Sequence, residues 1–293
     1  MKNKHLFFSL FLCCYVYAFY SQNHYVIFIN GYRGINIDDY TTDGRIIDPK
    51  IKTSVHSDSS FKSDEWIIGY WRPRNLYFDD TILSRYKNAY PLYIDGHHPI
   101  SSSVHRNKKS LVASYLKSRI FFFCRNPKGI LFRKSSDDGF NLRVENGKKI
   151  GQKMKENYFI QNDAKMTIVC HSMGFAVALG ICEVLKESVE FKDFIILSPE
   201  GADNARFDWT KFQHVWHYAS SWKNNRYRLV CRQDGIAPQV PIHGLKNNET
   251  EGIIGVPSRS KHVKLGFYKS HHLSYYNWFF DIKKGERGYF GDY

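Results

Sequence analysis

Ser172 lies at the sharpest turn that the sequence predicts. The apolar run at 166–169 predicts a buried strand, and the small and apolar residues of 175–185 predict a helix. Ser172 stands between them, and Gly174 follows two residues later. This order is typical of a nucleophile elbow, in which a strained turn at the end of a strand projects a serine hydroxyl into a cleft. The chemistry expected of such a hydroxyl is nucleophilic attack on an acyl carbonyl.

The full motif around this turn is Cys170-His171-Ser172-Met173-Gly174. Gly174 suits the close approach of strand and helix, whereas Cys170 stands where the pattern G-x-S-x-G has glycine. His-Ser-Met-Gly after an apolar strand resembles the elbow of lipases and esterases of the α/β-hydrolase superfamily. The resemblance implies an α/β-hydrolase fold, with a mostly parallel central sheet flanked by helices. It also implies a catalytic triad in the chain order Ser, Asp or Glu, His.

The resemblance places the acid of the triad just after a later strand. Asp234 follows the apolar run at 227–231, and Gly235 shapes the turn behind it. A carboxylate here would hold the imidazole in the right tautomer and stabilise its charged form. We expect Asp234 to be the acid. Asp203, in the loop after the strand predicted at 194–197, is the alternative.

The base is expected after the last strand, which the apolar run at 263–268 predicts. His271 and His272 both follow this run. We expect His272 to be the base, because His272 and Tyr275 resemble the H-x-x-Y pattern of some lipase-like hydrolases; His271 is the alternative. A neutral imidazole with a pKa of ~6.5 can take the serine proton and return it to the leaving group.

Two backbone amides are expected to form the oxyanion hole. The amide of Met173, next to the nucleophile, is one donor. By resemblance, the amide of Tyr32 is the other, in the turn after the apolar run at 25–29. Asn30-Gly31 stands there, where the superfamily usually has His-Gly.

The elements that must position these residues alternate between strands and helices. This alternation predicts βαβ units and a mostly parallel sheet, hence the α/β class. Strands are predicted at 25–29, within 65–71, and at 91–94, 166–169, 194–197, 227–231 and 263–268, and helices at 141–158, 175–185 and 274–282. We expect one domain over 23–293. The polar stretch 35–64 is expected to be a surface excursion or a lid over the cleft.

The first residues are typical of an export signal. Lys2 and Lys4 precede an uncharged run at 6–20, which is short for a membrane-spanning helix. We expect 1–22 to be a signal peptide, so that the mature protein is secreted or periplasmic. Lipid anchoring through a cysteine of this segment and an uncleaved anchor are the alternatives.

The remaining composition limits the partners that we expect. The chain has 293 residues and a formal net charge of +14, which favours contact with anionic surfaces, but no nucleic-acid motif accompanies the scattered basic residues. His97-His98 and His214-x-x-His217 lack a third ligand at a known metal spacing, so we expect no metal and no cofactor.

The function that these features predict is a serine hydrolase that cleaves carboxylic esters, with an ester or lipid as substrate. An acyltransferase or amidase that uses the same triad is one alternative. A non-catalytic binding protein with the hydrolase fold is another, and a lipase that damages target membranes is a third.

Overall fold

The computed structural model describes residues 24–31, 46–49, 65, 67–96, 137–158, 164–199, 201–220, 242–264 and 270–292. These residues form a mixed α/β fold with one seven-stranded sheet in the order β2-β3-β1-β4-β5-β6-β7. Every neighbouring pair is parallel except β2 and β3. The strands are β1 (His24–Ile29), β2 (Ile46–Ile47), β3 (Ala89–Ile94), β4 (Lys165–His171), β5 (Glu190–Leu197), β6 (His214–Tyr218) and β7 (Glu251–Ile254).

Helices cover both faces of this sheet. Three α-helices are described from end to end, namely α1 (Phe78–Leu83), α2 (Asp137–Asn157) and α3 (Gly174–Leu185). Short 3-10 helices lie at Pro73–Asn75, Ala202–Asn204, Trp209–Lys211, Lys261–Lys264, Leu273–Tyr275 and Asn277–Asp281. The predictions of the α/β class and of a mostly parallel sheet flanked by helices are therefore confirmed.

The central strands β1 and β4 are mostly apolar because both of their faces are buried. Successive side chains of a strand point to opposite faces. Ile27 and Ile29 of β1 therefore pack in the hydrophobic cluster that contains residues of α2 and α3. Val26 and Phe28 of the same strand pack in the cluster on the other face, with Trp71, Phe78 and Phe279. These two clusters hold β1 and β4 at the middle of the sheet.

The predicted strands at 25–29, 91–94, 166–169 and 194–197 are confirmed as β1, β3, β4 and β5, and the helices at 141–158 and 175–185 as α2 and α3. The strand predicted within 65–71 is wrong where the structure describes it, because residues 67–69 are helical. The predicted strand at 227–231 lies outside the described residues.

The prediction of a last strand at 263–268 is wrong where the structure describes it, because Lys261–Lys264 form a 3-10 helix. The strand before the two histidines is β7, and it was missed because its four residues begin with Glu-Gly. β6 was missed too, because histidines interrupt its apolar pattern. The closing helix predicted at 274–282 is instead a pair of 3-10 helices, Leu273–Tyr275 and Asn277–Asp281.

Within the polar stretch 35–64 only residues 46–49 are described, and Ile46–Ile47 form the antiparallel edge strand β2. Residues 1–22 lie outside the described part of the chain. A signal peptide at 1–22, a single domain over 23–293 and a lid within 35–64 therefore stay predictions. None of the helices in the described ranges combines the length and the apolar character that a membrane crossing requires.

Candidate active site

The carboxyl ends of four parallel strands meet at one edge of the sheet. Ile29 ends β1 and pairs with Cys170 of β4, and Leu197 ends β5 and pairs with Tyr218 of β6. Residues that follow parallel strands at this edge come from distant parts of the sequence, and binding sites of open α/β sheets lie there. Ser172 follows the central strand β4 and therefore sits in the middle of this edge.

Ser172 adopts a left-handed backbone conformation with φ 56°. This conformation is strained for a residue with a side chain, and such residues cluster at functional sites. The amide of Ser172 donates to the carbonyl of Leu197 at 3.0 Å, and its own carbonyl accepts from the amide of Phe175 at 3.2 Å. The turn is thus held by β5 on one side and by the first residues of α3 on the other, as a nucleophile elbow requires.

Two glycines give this turn the space it needs. A Cβ atom on Gly174 would lie 2.6 Å from the carbonyl oxygens of Ile29 and Asn30. A Cβ atom on Gly31 would lie 2.7 Å from Cβ of Ser172 and 2.9 Å from the carbonyl oxygen of His171. Because real Cβ atoms do not approach other atoms so closely, glycine at both positions is what lets the end of β1 pack against the elbow.

The structure brings His271, and not His272, to Ser172. Nε2 of His271 lies 3.0 Å from Oγ of Ser172, which is hydrogen-bonding distance. His272 is exposed and precedes the 3-10 helix Leu273–Tyr275. The geometry therefore corrects the expectation that His272 is the partner of the serine. Adjacent residues point in different directions, and here the packing of the segment turns His271 inward.

Burial lowers the pKa of His271 well below its ordinary value of 6.5, and repulsion from charge on His171 and His272 adds to this effect. The imidazole is therefore neutral at neutral pH. One nitrogen of a neutral imidazole carries no proton and accepts a hydrogen bond. When that nitrogen is Nε2, the Ser172 hydroxyl donates to it, which is the arrangement that general-base catalysis needs.

The turn after β1 is built around Asn30, which is completely buried. Its side-chain amide donates to Oδ1 of Asp95 at 3.1 Å and to the carbonyl of Gly31 at 2.9 Å, and its side-chain oxygen accepts from the amide of Gly96 at 3.2 Å. Asn30 thereby ties the turn that leads to Tyr32 to the turn after β3. These three hydrogen bonds give a physical reason for asparagine at this position.

Of the two amides predicted for the oxyanion hole, the structure describes that of Met173 but not that of Tyr32. Met173 immediately precedes α3, so its N–H belongs to the amides that a helix leaves without an intrahelical acceptor. The partial positive charge of a helix N-terminus favours a developing oxyanion beside it. Tyr32 lies outside the described residues, although the preceding Gly31 is packed against Ser172.

Neither carboxylate predicted as the acid has a described side chain. Asp234 falls within 221–241, the stretch that follows β6 and lies outside the described residues. Asp203 lies in the 3-10 helix Ala202–Asn204 after β5, and only its backbone is described. The choice between Asp234 and Asp203 therefore stays a prediction.

Two further residues of the site, His171 and Tyr70, were not predicted from the sequence. Nε2 of His171 lies 2.7 Å from the carbonyl oxygen of His271, and its Nδ1 hydrogen-bonds the hydroxyl of Tyr70. A signal for His171 was present, since it directly precedes Ser172 in the motif. Tyr70 carried none, because it is remote in sequence and reaches the site only through the fold.

Of the histidines considered for metal binding, the structure describes His214 and His217. His214 and His217 both lie in β6, and Nδ1 of His214 is 2.9 Å from Oδ1 of the buried Asp193. His97-His98 lie outside the described residues. Among the residues that the structure describes, no group of three or more His, Cys, Asp or Glu side chains is arranged to hold a metal ion.

The described part of the site thus consists of a strained serine, a partly buried imidazole in contact with it, and the amide of Met173 at the start of α3. These groups can transfer a proton from the hydroxyl and stabilise an oxyanion. Comparisons of the chain with protein-family models, with curated proteins and with solved structures found no match.

Proposed function

We propose that this protein is a serine hydrolase that cleaves carboxylic esters through an acyl-enzyme. The observation that carries the proposal is the 3.0 Å contact between Oγ of Ser172 and Nε2 of His271, made in a left-handed turn at the edge of a parallel sheet. A nucleophile within hydrogen-bonding reach of a base is the arrangement by which covalent catalysis is recognised.

In the proposed reaction, Nε2 of His271 takes the proton of Ser172 as Oγ attacks the acyl carbonyl. The amide of Met173, and by resemblance that of Tyr32, hold the oxyanion of the tetrahedral intermediate. The intermediate collapses to an acyl-serine, and the imidazolium returns its proton to the leaving alcohol. Water then attacks the acyl-serine with His271 again as base, which releases the acid and restores the Ser172 hydroxyl.

The acid that completes the triad is proposed to be Asp234. It follows β6 in the chain and precedes His271, which is the order that the resemblance implies. A carboxylate at Nδ1 of His271 would hold the tautomer with an unprotonated Nε2 and stabilise the imidazolium that forms. Asp203 is the alternative.

An external ester or lipid is the proposed substrate class. The proposal of export rests on the basic start and the uncharged run of residues 1–22. The net charge of +14 favours adsorption to anionic surfaces, at which many lipids are presented. The reaction needs no cofactor, because proton transfer and acyl transfer are carried by side chains and backbone amides.

The test compares three purified proteins: wild type, Ser172→Ala and Ser198→Ala. Wild type and Ser198→Ala are expected to hydrolyse p-nitrophenyl esters and to bind a fluorophosphonate probe covalently. Ser172→Ala is expected to lose on the order of 10⁴-fold or more in kcat and all of the labelling. Equal rates for wild type and Ser172→Ala would refute the proposal. Acyl transfer to an added alcohol or amine in preference to water would favour the acyltransferase alternative.

A further inference from the structure

We propose that His171 is a positioning residue that fixes His271 against Ser172, and that Tyr70 selects the tautomer in which His171 can do so. This inference rests on the proposed function of the site. The observation that supports it is that each nitrogen of the His171 ring has its own hydrogen-bond partner. Nε2 of His171 lies 2.7 Å from the backbone carbonyl oxygen of His271, and Nδ1 hydrogen-bonds the hydroxyl of Tyr70.

The chemistry of these two partners determines which nitrogen of the His171 ring carries the proton. A backbone carbonyl only accepts hydrogen bonds, so Nε2 must carry a proton and donate it. In a neutral ring, Nδ1 is then without a proton and accepts from the hydroxyl of Tyr70. Burial lowers the pKa of His171 to about 4, and this keeps the ring neutral over the range in which ester hydrolysis is measured.

This assignment excludes His171 as a second base for Ser172. One nitrogen carries a proton, and the lone pair of the other is taken by the tyrosine hydroxyl. His171 therefore acts through His271 and not on the substrate.

His171 lies where it can hold the nucleophile and the base in a fixed relative position. It is the last residue of β4 and directly precedes Ser172, so its backbone is held in the central part of the sheet. Its side chain is only 4% exposed, and its ring centroid lies 5.0 Å from that of His271. A single hydrogen bond thus joins the strand that presents the hydroxyl to the backbone of the residue that presents the imidazole.

Loss of this bond would remove the donor that His171 provides to the carbonyl of His271 and let the segment shift. A misplacement of reacting groups by about 1 Å can cost on the order of 100-fold in rate. We therefore expect the effect to fall on kcat, while KM changes little, because neither His171 nor Tyr70 is assigned a contact with the substrate.

The experiment compares His171→Leu with His171→Gln in the full chain. Leucine removes the donor, whereas the side-chain amide of glutamine can place an N–H near the position of Nε2. His171→Leu is expected to lose about 10- to 100-fold in kcat, and His171→Gln is expected to recover most of that loss. Tyr70→Phe, which keeps the ring, is expected to show a smaller loss. Thermal melts are used to check that each variant is folded at the assay temperature.

A second measurement does not depend on activity or on the stability of a variant. In wild type labelled with ¹⁵N-histidine, NMR is expected to show His171 with its proton on Nε2. A proton on Nδ1 at neutral pH would overturn the inference, as would folded His171→Leu with wild-type kcat, or equal losses in folded Leu and Gln variants. Wild type that neither hydrolyses esters nor reacts with fluorophosphonate would instead refute the proposed function.

Discussion

The turns after β4 and β5 carry the same residue in nearly the same backbone conformation. Ser172 follows β4 with φ 56°, and Ser198 follows β5 with φ 43°. Each serine amide donates to the last residue of the next strand, Leu197 at 3.0 Å and Tyr218 at 3.2 Å respectively. Both serines are buried at the same edge of the sheet. Strain, burial and position at the sheet edge therefore do not distinguish the two.

The two turns differ in the groups beside the hydroxyl. Ser172 contacts an imidazole, whereas Ser198 hydrogen-bonds the hydroxyl of Tyr276. Burial raises the pKa of Tyr276 above its ordinary value, so the phenol stays protonated and is no base at neutral pH. Met173 after Ser172 has an amide for an oxyanion, but Pro199 after Ser198 has none. The neighbouring imidazole and the following amide, more than the strained turn, therefore favour Ser172 as nucleophile.

The two turns are expected to differ most when the side chain that contacts each serine is changed. His271→Ala is expected to lower kcat/KM for ester hydrolysis by on the order of 10⁴-fold, because the base is lost. Tyr276→Phe keeps the ring but removes the hydroxyl bonded to Ser198, so activity is expected within a few-fold of wild type. The free energy of unfolding of Tyr276→Phe is expected to be lower than that of wild type by about 1–2 kcal/mol. Steady-state kinetics and urea unfolding measure the two effects.

His272→Ala is the matched control for His271→Ala. The exposed ring of His272 is expected to be dispensable, with hydrolysis within a few-fold of wild type. An inactive His272→Ala beside an active His271→Ala would restore the original prediction of the base and contradict the geometry of the site.

The packing of the elbow predicts an intermediate effect. Gly31→Ala would put a methyl group 2.7 Å from Cβ of Ser172 and 3.0 Å from the hydroxyl of Tyr70, so the nucleophile must shift. We expect kcat to fall on the order of 100-fold. Gly69→Ala is the control, because an added Cβ at Gly69 meets nothing within 4 Å. Equal kcat values for the two variants would show that the end of β1 does not constrain Ser172.

The smallest expected effect concerns pH. The base must be unprotonated, so kcat/KM is lost as pH falls through the pKa of His271, which burial holds well below 6.5. The acid limb is therefore expected below pH 6.5, and kcat/KM at that pH should be close to its plateau, where an unshifted histidine would give about half. A pH series with an ester whose leaving group ionises outside the range measures it. A midpoint at or above 6.5 would show that burial does not set the pKa of His271, and that a carboxylate such as the one proposed at Nδ1 outweighs it.

The local pattern of apolar and small residues predicted the strand and the helix on either side of Ser172. β4 and α3 are long enough and apolar enough for their periodicity to be read, and small residues mark the turn between them. β6 and β7 were missed because they are short and contain polar residues. Such strands form because the neighbouring strand offers a parallel edge, which is information from elsewhere in the chain.

A serine in a tight turn after a buried strand follows from local sequence alone, because the predicted strand, turn and helix all lie within residues 166–185. Which of two adjacent histidines reaches Ser172 depends on long-range packing, since a shift of one residue changes which side chain faces inward. Long-range packing also brought Tyr70 to His171 and Tyr276 to Ser198. These contacts join residues 101 and 78 positions apart, and hydrophobic burial of the whole sheet, not local preference, closes such distances.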